Sequence, residues 1–313
     1  MSRILNVAVA QMGGVQLDES RREVVGRLIS LLDQACANGA ELVVFPELAL
    51  TTFFPRYWIE DEAELDRFYE TEMPGPETQP LFDRAREHGV AFYLGYAELV
   101  REGDRRRRFN TAILVDGRGE IVRRYRKVHL PGHDDHRPER PYQHLEKRYF
   151  EVGDTGFVVD WVDDALIGMA ICNDRRWPET YRVLGLQGVE LVALGYNTPA
   201  SNVYHHEPSH HRMLHHQLVM QAGAYQNGTW VAAAAKSGFE DGHELMAGSS
   251  IVAPSGEIVA QTSGAGDQVI AHPCSLDLGA DSKRHILNFH HRRIEHYGLI
   301  TAQTDAVAPG RRG

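Results

Sequence analysis

Cysteine is scarce, with only Cys36, Cys172 and Cys274 in 313 residues. So small and odd a number in a long chain does not make a disulfide framework, and the thiols are expected to be reduced, as in a cytoplasmic protein. Long apolar runs are missing too, since no stretch approaches the roughly 20 residues that span a bilayer. Residues 1–11 pass straight into a strand pattern, without the basic, apolar and small-residue regions in series that mark a signal peptide. Basic excess is absent: 43 acidic against 33 basic side chains give a formal charge of -10. Nucleic acid and anionic membranes, bound chiefly through Lys and Arg, are thereby disfavoured as partners. No linker rich in Gly, Ser or Pro divides the chain. The expectation is one domain over residues 1–313, with an extended tail from about residue 299 and a small molecule as ligand.

What the chain does contain is a series of short apolar runs that end in polar side chains. Residues 6–12 predict a first strand. Residues 18–38 predict a helix with Asp18 as its N-cap, because Val24, Val25, Leu28, Leu31, Leu32 and Ala35 recur at helical spacing. Gly39 closes that helix, and residues 41–46 form a short buried strand that delivers Glu47, followed by an aromatic loop holding Phe53, Phe54, Tyr57 and Trp58. A helix over 77–88 precedes a strand over 90–96. Residues 109–115 and 120–130 then make a hairpin, with the basic run Arg105 to Arg108 in a solvated turn before it. In the second of these strands a period of two sets Lys127 and His129 on one side. Residues 131–143, rich in Pro, His, Asp and Arg, read as a functional loop ending at His144 and Glu146. Strands over 165–171, 188–194 and 229–235, helices over 178–186 and 209–225, and a hairpin over 249–261 complete the pattern. Two echoes, residues 39–43 with 188–192 and 115–122 with 252–259, point to two related α/β halves packed sheet on sheet with helices outside.

The run over 165–171 ends in Cys172, among polar and cationic residues. A strand end is where a nucleophile is presented to a cleft, although a lone buried thiol fits the same place. A free thiol is only a few per cent thiolate at pH 7 and needs a base or cation beside it. Glu47 supplies a base; Lys127 and the backbone N–H after Cys172 supply donors for an oxyanion. Phe45-Pro46-Glu47, Lys127-Val-His129-Leu130 and Cys172-Asn-Asp174, in that order, resemble the three signature blocks of the nitrilase superfamily of carbon–nitrogen hydrolases. That resemblance runs from the first strand through the 249–261 hairpin. It implies an α/β fold of the four-layer αββα sandwich type, no metal, no organic cofactor, and a homodimer or homotetramer built on a two-fold interface that extends the sandwich. Glu146, followed by Tyr149-Phe150 and Gly153, resembles the family's second glutamate, which positions the substrate or assists proton transfer.

Within the superfamily, Cys172-Asn-Asp-Arg-Arg-Trp-Pro-Glu179, with Asn197-Thr198-Pro199 at the next strand end, most resembles the N-carbamoyl-D-amino acid amidohydrolases. The implied reaction turns an N-carbamoyl-D-amino acid into the D-amino acid, ammonia and carbon dioxide. Such a substrate keeps a free carboxylate, which Arg175 and Arg176 could hold through charge-assisted hydrogen bonds. An arginine pair taken alone is more often an ion-pair element. His129, His144, Asn173, Asn197 and Thr198 are further substrate contacts by the same resemblance. Other readings stay open: a β-ureidopropionase, whose substrate also joins a carboxylate to a carbamoyl group, a Cys–His hydrolase with a histidine as base, or a relative that binds or transfers acyl groups. Finally, His206-Glu-Pro-Ser-His210 matches the H-E-x-x-H zinc pattern. Pro208 would break the helix on which both histidines must share a face, so no metal site is expected, and the pairs His210-His211 and His215-His216 read as a solvated or interface face.

Overall fold

The computed structural model describes residues 2–140, 142–201 and 208–308. The first half of the chain runs through β1 (Ile4–Gly13), α1 (Arg21–Ala37), β2 (Leu42–Val44), α2 (Glu62–Asp66), α3 (Gln79–His88), β3 (Ala91–Glu102), β4 (Arg105–Val115) and β5 (Ile121–Arg126). The second continues with α4 (Glu146–Tyr149), β6 (Val159–Val162), β7 (Ala165–Ile171), α5 (Pro178–Leu186), β8 (Leu191–Tyr196), α6 (Ser209–Asn227), β9 (Trp230–Glu240) and β10 (His243–Met246). After these come β11 (Ser250–Val252), β12 (Ile258–Gln261), β13 (Gln268–Ser275), α7 (Leu276–Asp281) and α8 (Gly298–Ala302).

Strands β5-β4-β3-β2-β1 lie side by side in that order, and β12-β11-β9-β8-β7 repeat it in the second half. The sequence echoes fall at equivalent places: Gly39 (φ 76°) and Gly188 (φ 86°) turn the chain out of α1 and α5 just before β2 and β8. Similarly, residues 115–122 and 252–259 build the turns of the β4–β5 and β11–β12 hairpins. The halves meet at β1, whose Met12 and Gly13 pair with Lys236 and Ser237 of β9. On its other edge β1 accepts β13, antiparallel from Ile4↔Ser275 to Gln11↔Gln268.

The four-layer αββα arrangement follows from which faces are apolar. Along β1, Ala8 and Ala10 turn outward to meet Val24, Leu28, Leu31 and Leu32 of α1 and Leu81 and Phe82 of α3. Val7 and Val9 turn inward, with Val44 and Tyr93, against Ile167, Met169 and Leu191 of the facing sheet. Tyr181, Leu184, Met220 and Ala224, from α5 and α6, cover that second sheet from outside. The Tyr93 hydroxyl reaches across the middle and is satisfied there, donating to the Ala170 carbonyl at 2.9 Å.

Several local expectations need correction. The N-cap of α1 is Ser20, not Asp18: Ser20 Oγ accepts from Glu23 N at 3.3 Å while Glu23 Oε2 accepts from Ser20 N at 2.8 Å. This reciprocal S-x-x-E box satisfies two orphan donors, which Asp18 does not. Arg105 to Arg108 are not a turn but the start of β4, paired with Leu99 to Glu102, and Arg106 and Arg107 reach Asp66 and Glu151 at 2.9 and 3.0 Å. Strand β5 stops at Arg126, one residue before Lys127, because Gly153 N donates to Lys127 O at 2.9 Å where a further strand partner would be. Strand β13 has no counterpart among the sequence expectations.

Candidate active site

Strands β1, β2, β3 and β5 run parallel, as do β7, β8 and β9, so the ends of β2, β5, β7 and β8 open on one side of the sandwich. Strand ends of this kind are where α/β proteins hold ligands. Glu47 leaves β2, Lys127 leaves β5, Cys172 leaves β7 and Asn197 leaves β8. Close backbone approach makes this possible. A Cβ on Gly95 would lie 2.7 Å from Glu47 Cα, and one on Gly195 would lie 2.5 Å from Glu47 N, so the Pro46-Glu47 segment threads between the sheets only past glycines.

Glu47, Lys127 and Glu146 form a buried chain. Lys127 Nζ donates to Glu47 Oε1 at 2.7 Å and to Glu146 Oε2 at 2.6 Å, and all three side chains are 0–1% exposed. Burial alone would lower the Lys127 pKa, but Glu146 and Glu47 outweigh it and hold the ammonium charged. Burial would likewise raise Glu146, and Lys127 and His144 together more than offset it, so that carboxyl is held low. Glu47 is oriented further by Asn110 Nδ2, at 2.8 Å from Oε1, and by Asn197 N, at 2.9 Å from Oε2. Glu146 rides on α4, whose entry is pinned to the aromatic loop through Leu145 N to Pro55 O (2.8 Å) and Gln143 N to Arg56 O (3.1 Å). Phe53, Phe54, Tyr149 and Phe150 pack in the cluster beneath.

Cys172 sits at φ 46°, a left-handed conformation that a residue with a side chain seldom adopts. Its sulfur lies 3.9 Å from Asn197 O and from Thr198 Oγ1. Burial pushes the thiol pKa up and Glu47 adds to that, while Lys127 and Arg175 pull the other way. Asp174 ties this turn to the strand that carries Lys127: Oδ2 accepts from Tyr125 Oη (2.7 Å) and Ile171 N (3.0 Å), and Oδ1 from His129 N (3.0 Å).

The sulfur faces a cavity of about 350 Å³. Its walls include Asn173, Asn197, Thr198, His144 and five arginines, Arg137, Arg140, Arg175, Arg176 and Arg212, with no Asp or Glu among the described lining residues. Of the expected substrate contacts, His144 reaches the wall and its Nε2 lies 3.2 Å from Glu146 Oε1. His129 does not line the cavity. Its Nδ1 meets Asp174 Oδ1 at 2.9 Å and its ring stacks on Trp177 at 4.7 Å, because the backbone leaves the strand after Arg126 and the expected alternation ends there. Asn173 Nδ2 donates to His129 O at 3.1 Å. Arg176 is exposed at the cavity wall, whereas Arg175 is 1% exposed and turned to the nucleophile.

His206 and Glu207 of the zinc-like pattern lie outside the described residues. Helix α6 begins beyond Pro208, leaving His210 and His211 exposed at its start. His215 is exposed as well, but His216 is buried against Arg175, contrary to the solvated face expected for that pair. Sequence reasoning also missed Asn110, Asp174, His133, Arg137, Arg140, Tyr142 and Arg212. Asn110 had a signal, being a lone amide in the otherwise apolar end of β4. Arg137 and Arg140 had one in the Arg-rich loop over 131–143 that carries them, whereas Arg212, on α6, had none.

The sequence model of the family described as carbon–nitrogen hydrolase matches residues 6–284, and the chain belongs to that family. A nitrilase of Pyrococcus abyssi is 30% identical over 296 residues, 94% of this chain and 99% of that protein. An N-carbamoylputrescine amidase of Arabidopsis thaliana is 29% identical over 281 residues, 86% of this chain and 87% of its own length. Among solved structures, a carbon–nitrogen hydrolase of Helicobacter pylori G27 has a TM-score of 0.82 at 22% identity, covering 96% of this chain and 99% of its own, a likeness of fold.

Proposed function

We propose that the chain hydrolyses N-carbamoyl-D-amino acids, with Cys172 as nucleophile. The observation that carries this reading is the cavity on Cys172, whose described lining residues include five arginines, of which Arg137 and Arg140 also meet Asp135 and Glu139 at its rim, and no Asp or Glu. Such a wall suits an anionic substrate and opposes an ammonium-bearing one, which distinguishes a carbamoyl amino acid from a carbamoyl diamine such as N-carbamoylputrescine. Arg176, with Arg137, Arg140 and Arg212, is assigned to the substrate carboxylate. Arg175 is held on the nucleophile. The D series follows from the resemblance of residues 172–179.

In the mechanism, Glu47 takes the proton of Cys172 Sγ and the thiolate adds to the ureido carbonyl. The oxyanion is held by Lys127 Nζ and the Asn173 amide. The adduct collapses by breaking one C–N bond, and the departing nitrogen takes the proton from Glu47. Water, deprotonated by Glu47, then adds to the thioester-like carbonyl; the C–S bond breaks and the thiolate is reprotonated. The carbamate released from the sulfur then takes up a proton on nitrogen and breaks its remaining C–N bond to give carbon dioxide, so the net products are the amino acid, ammonia and carbon dioxide. Glu146, bonded to Lys127, keeps the ammonium aimed during both additions.

The test compares kcat/KM for N-carbamoyl D- and L-amino acids, N-carbamoyl-β-alanine and N-carbamoylputrescine. Preference for the D series is expected, and Cys172→Ala is expected to abolish turnover while retaining substrate binding. Preference for N-carbamoyl-β-alanine would instead establish the β-ureidopropionase reading, and loss of activity on His144→Ala as complete as on Cys172→Ala, with Glu47→Gln active, would establish a Cys–His mechanism.

A further inference from the structure

We propose that His216 is a positioning residue for the nucleophile, acting by accepting a hydrogen bond that aims the Arg175 guanidinium at Cys172. The inference rests on Cys172 being the nucleophile, and on nothing about the substrate.

Arg175 is buried, and each nitrogen of its guanidinium has a partner. Nε donates to His216 Nδ1 at 3.1 Å. One terminal nitrogen donates to Cys172 O at 2.6 Å and lies 3.6 Å from Cys172 Sγ; the other donates to Thr198 Oγ1 at 3.1 Å. The guanidinium carbon lies 4.8 Å from the centre of the Tyr196 ring, which also packs against His216 at 4.5 Å. A guanidinium has donors only, so His216 Nδ1 must present a lone pair and the ring must be neutral with its proton on Nε2. That nitrogen makes no hydrogen bond of normal geometry among the described residues, and the backbone of Gly248 interacts with the ring. The other charges near the ring, Arg175 and Arg176, are both cationic and oppose a second proton.

The consequence concerns the sulfur. A thiol raised by burial and by Glu47 depends on nearby cations for its thiolate fraction, and Arg175 is one of the two that favour it. Without an acceptor at Nδ1, the Nε–H of Arg175 is left unsatisfied in a buried site and the guanidinium is free to turn from the sulfur.

The experiment reads Cys172 directly. The rate of alkylation by iodoacetamide is followed by mass spectrometry of the Cys172 peptide across pH, for the full chain. In His216→Leu the midpoint is expected to rise by about one unit, leaving the thiolate fraction, and the rate at neutral pH, roughly tenfold lower. In His216→Asn, whose Oδ1 takes the place of Nδ1, the wild-type midpoint is expected. An unchanged midpoint in His216→Leu, or an equal rise in both variants, overturns the proposal. Should His216→Leu fail to fold, His216→Gln replaces it, because its acceptor reaches the Nε2 position instead. Equal behaviour of the Gln and Asn variants then overturns it. Alkylation needs no substrate, so failure of the proposed hydrolysis leaves this result intact.

Discussion

Lys127 stands between two carboxylates with no water-facing side, and its removal is the most informative single change at the residue scale. Lys127→Met leaves Glu47 and Glu146 buried without their cation, which is expected to abolish turnover and to cost about 3–5 kcal/mol of stability. Glu146 supplies the pH signature. Its folded pKa lies below the ordinary 4.5, so the unfolded chain binds more protons as pH falls through that range. Stability from the pair is therefore present above about pH 4.5 and is lost below it. Urea unfolding across pH is expected to show that acid loss in the wild type and a flatter acid limb in Lys127→Met. Glu47 and Cys172 were legible because each follows an apolar run with a charge or a thiol, Lys127 because strand alternation marked its side, and Glu146, on α4, only through its likeness to the family's second glutamate. Arg175 was legible as a site residue but not in its direction: a string of letters does not tell whether a guanidinium turns to substrate or to sulfur. His216 was invisible, since only the face of α6 distinguishes it from exposed His215.

At the scale of elements, periodicity carried most of the reading, and it failed where a cap or a neighbour decided the outcome. Helix α1 shows this. Its apolar positions were read correctly, but its start was set by the Ser20–Glu23 box and not by Asp18. Ser20→Ala is expected to cost ~1 kcal/mol in chemical denaturation, and Asp18→Ala is expected to change nothing measurable. Strand β4 shows the other failure. Four consecutive arginines suggest a solvated turn, yet opposite partners on α2 and at Glu151 and Asp154 let them extend a strand. The loop over 131–143, read as functional, supplies Pro131, Gly132, His133, Arg137, Arg140 and Tyr142 to the cavity wall. How it closes the cavity depends on contacts to the aromatic loop, through Gln143 and Leu145, that no local pattern contains.

At the scale of the whole molecule, the repeated strand order was visible as two faint echoes, whereas the join between halves was not. That join is strengthened by a second buried charge cluster. Glu240 Oε1 meets Arg56 at 2.7 Å and Oε2 meets Lys236 at 2.8 Å, with Glu240 also accepting from Val15 N and Phe53 N. It fastens β9 to the aromatic loop on which the Glu146 segment rests, so the halves support one site together. Pairing across such distances in sequence was beyond reach because a short apolar strand has no label for its partner.

The pairing of β1 with β13 bears on how the chain is made. Strand β1 finds the partner for eight of its residues, Ile4 to Gln11, only when residues 268–275 have been made. Until then it is an open, apolar edge, of the kind that recruits other chains. A chain ending after residue 262, which keeps Glu47, Lys127, Glu146 and Cys172, is expected to be recovered mainly as aggregate, with the soluble fraction after expression as the measure. A strand made well before its partner is thus sheltered late, and safe delivery of this enzyme depends on what holds that edge during the wait.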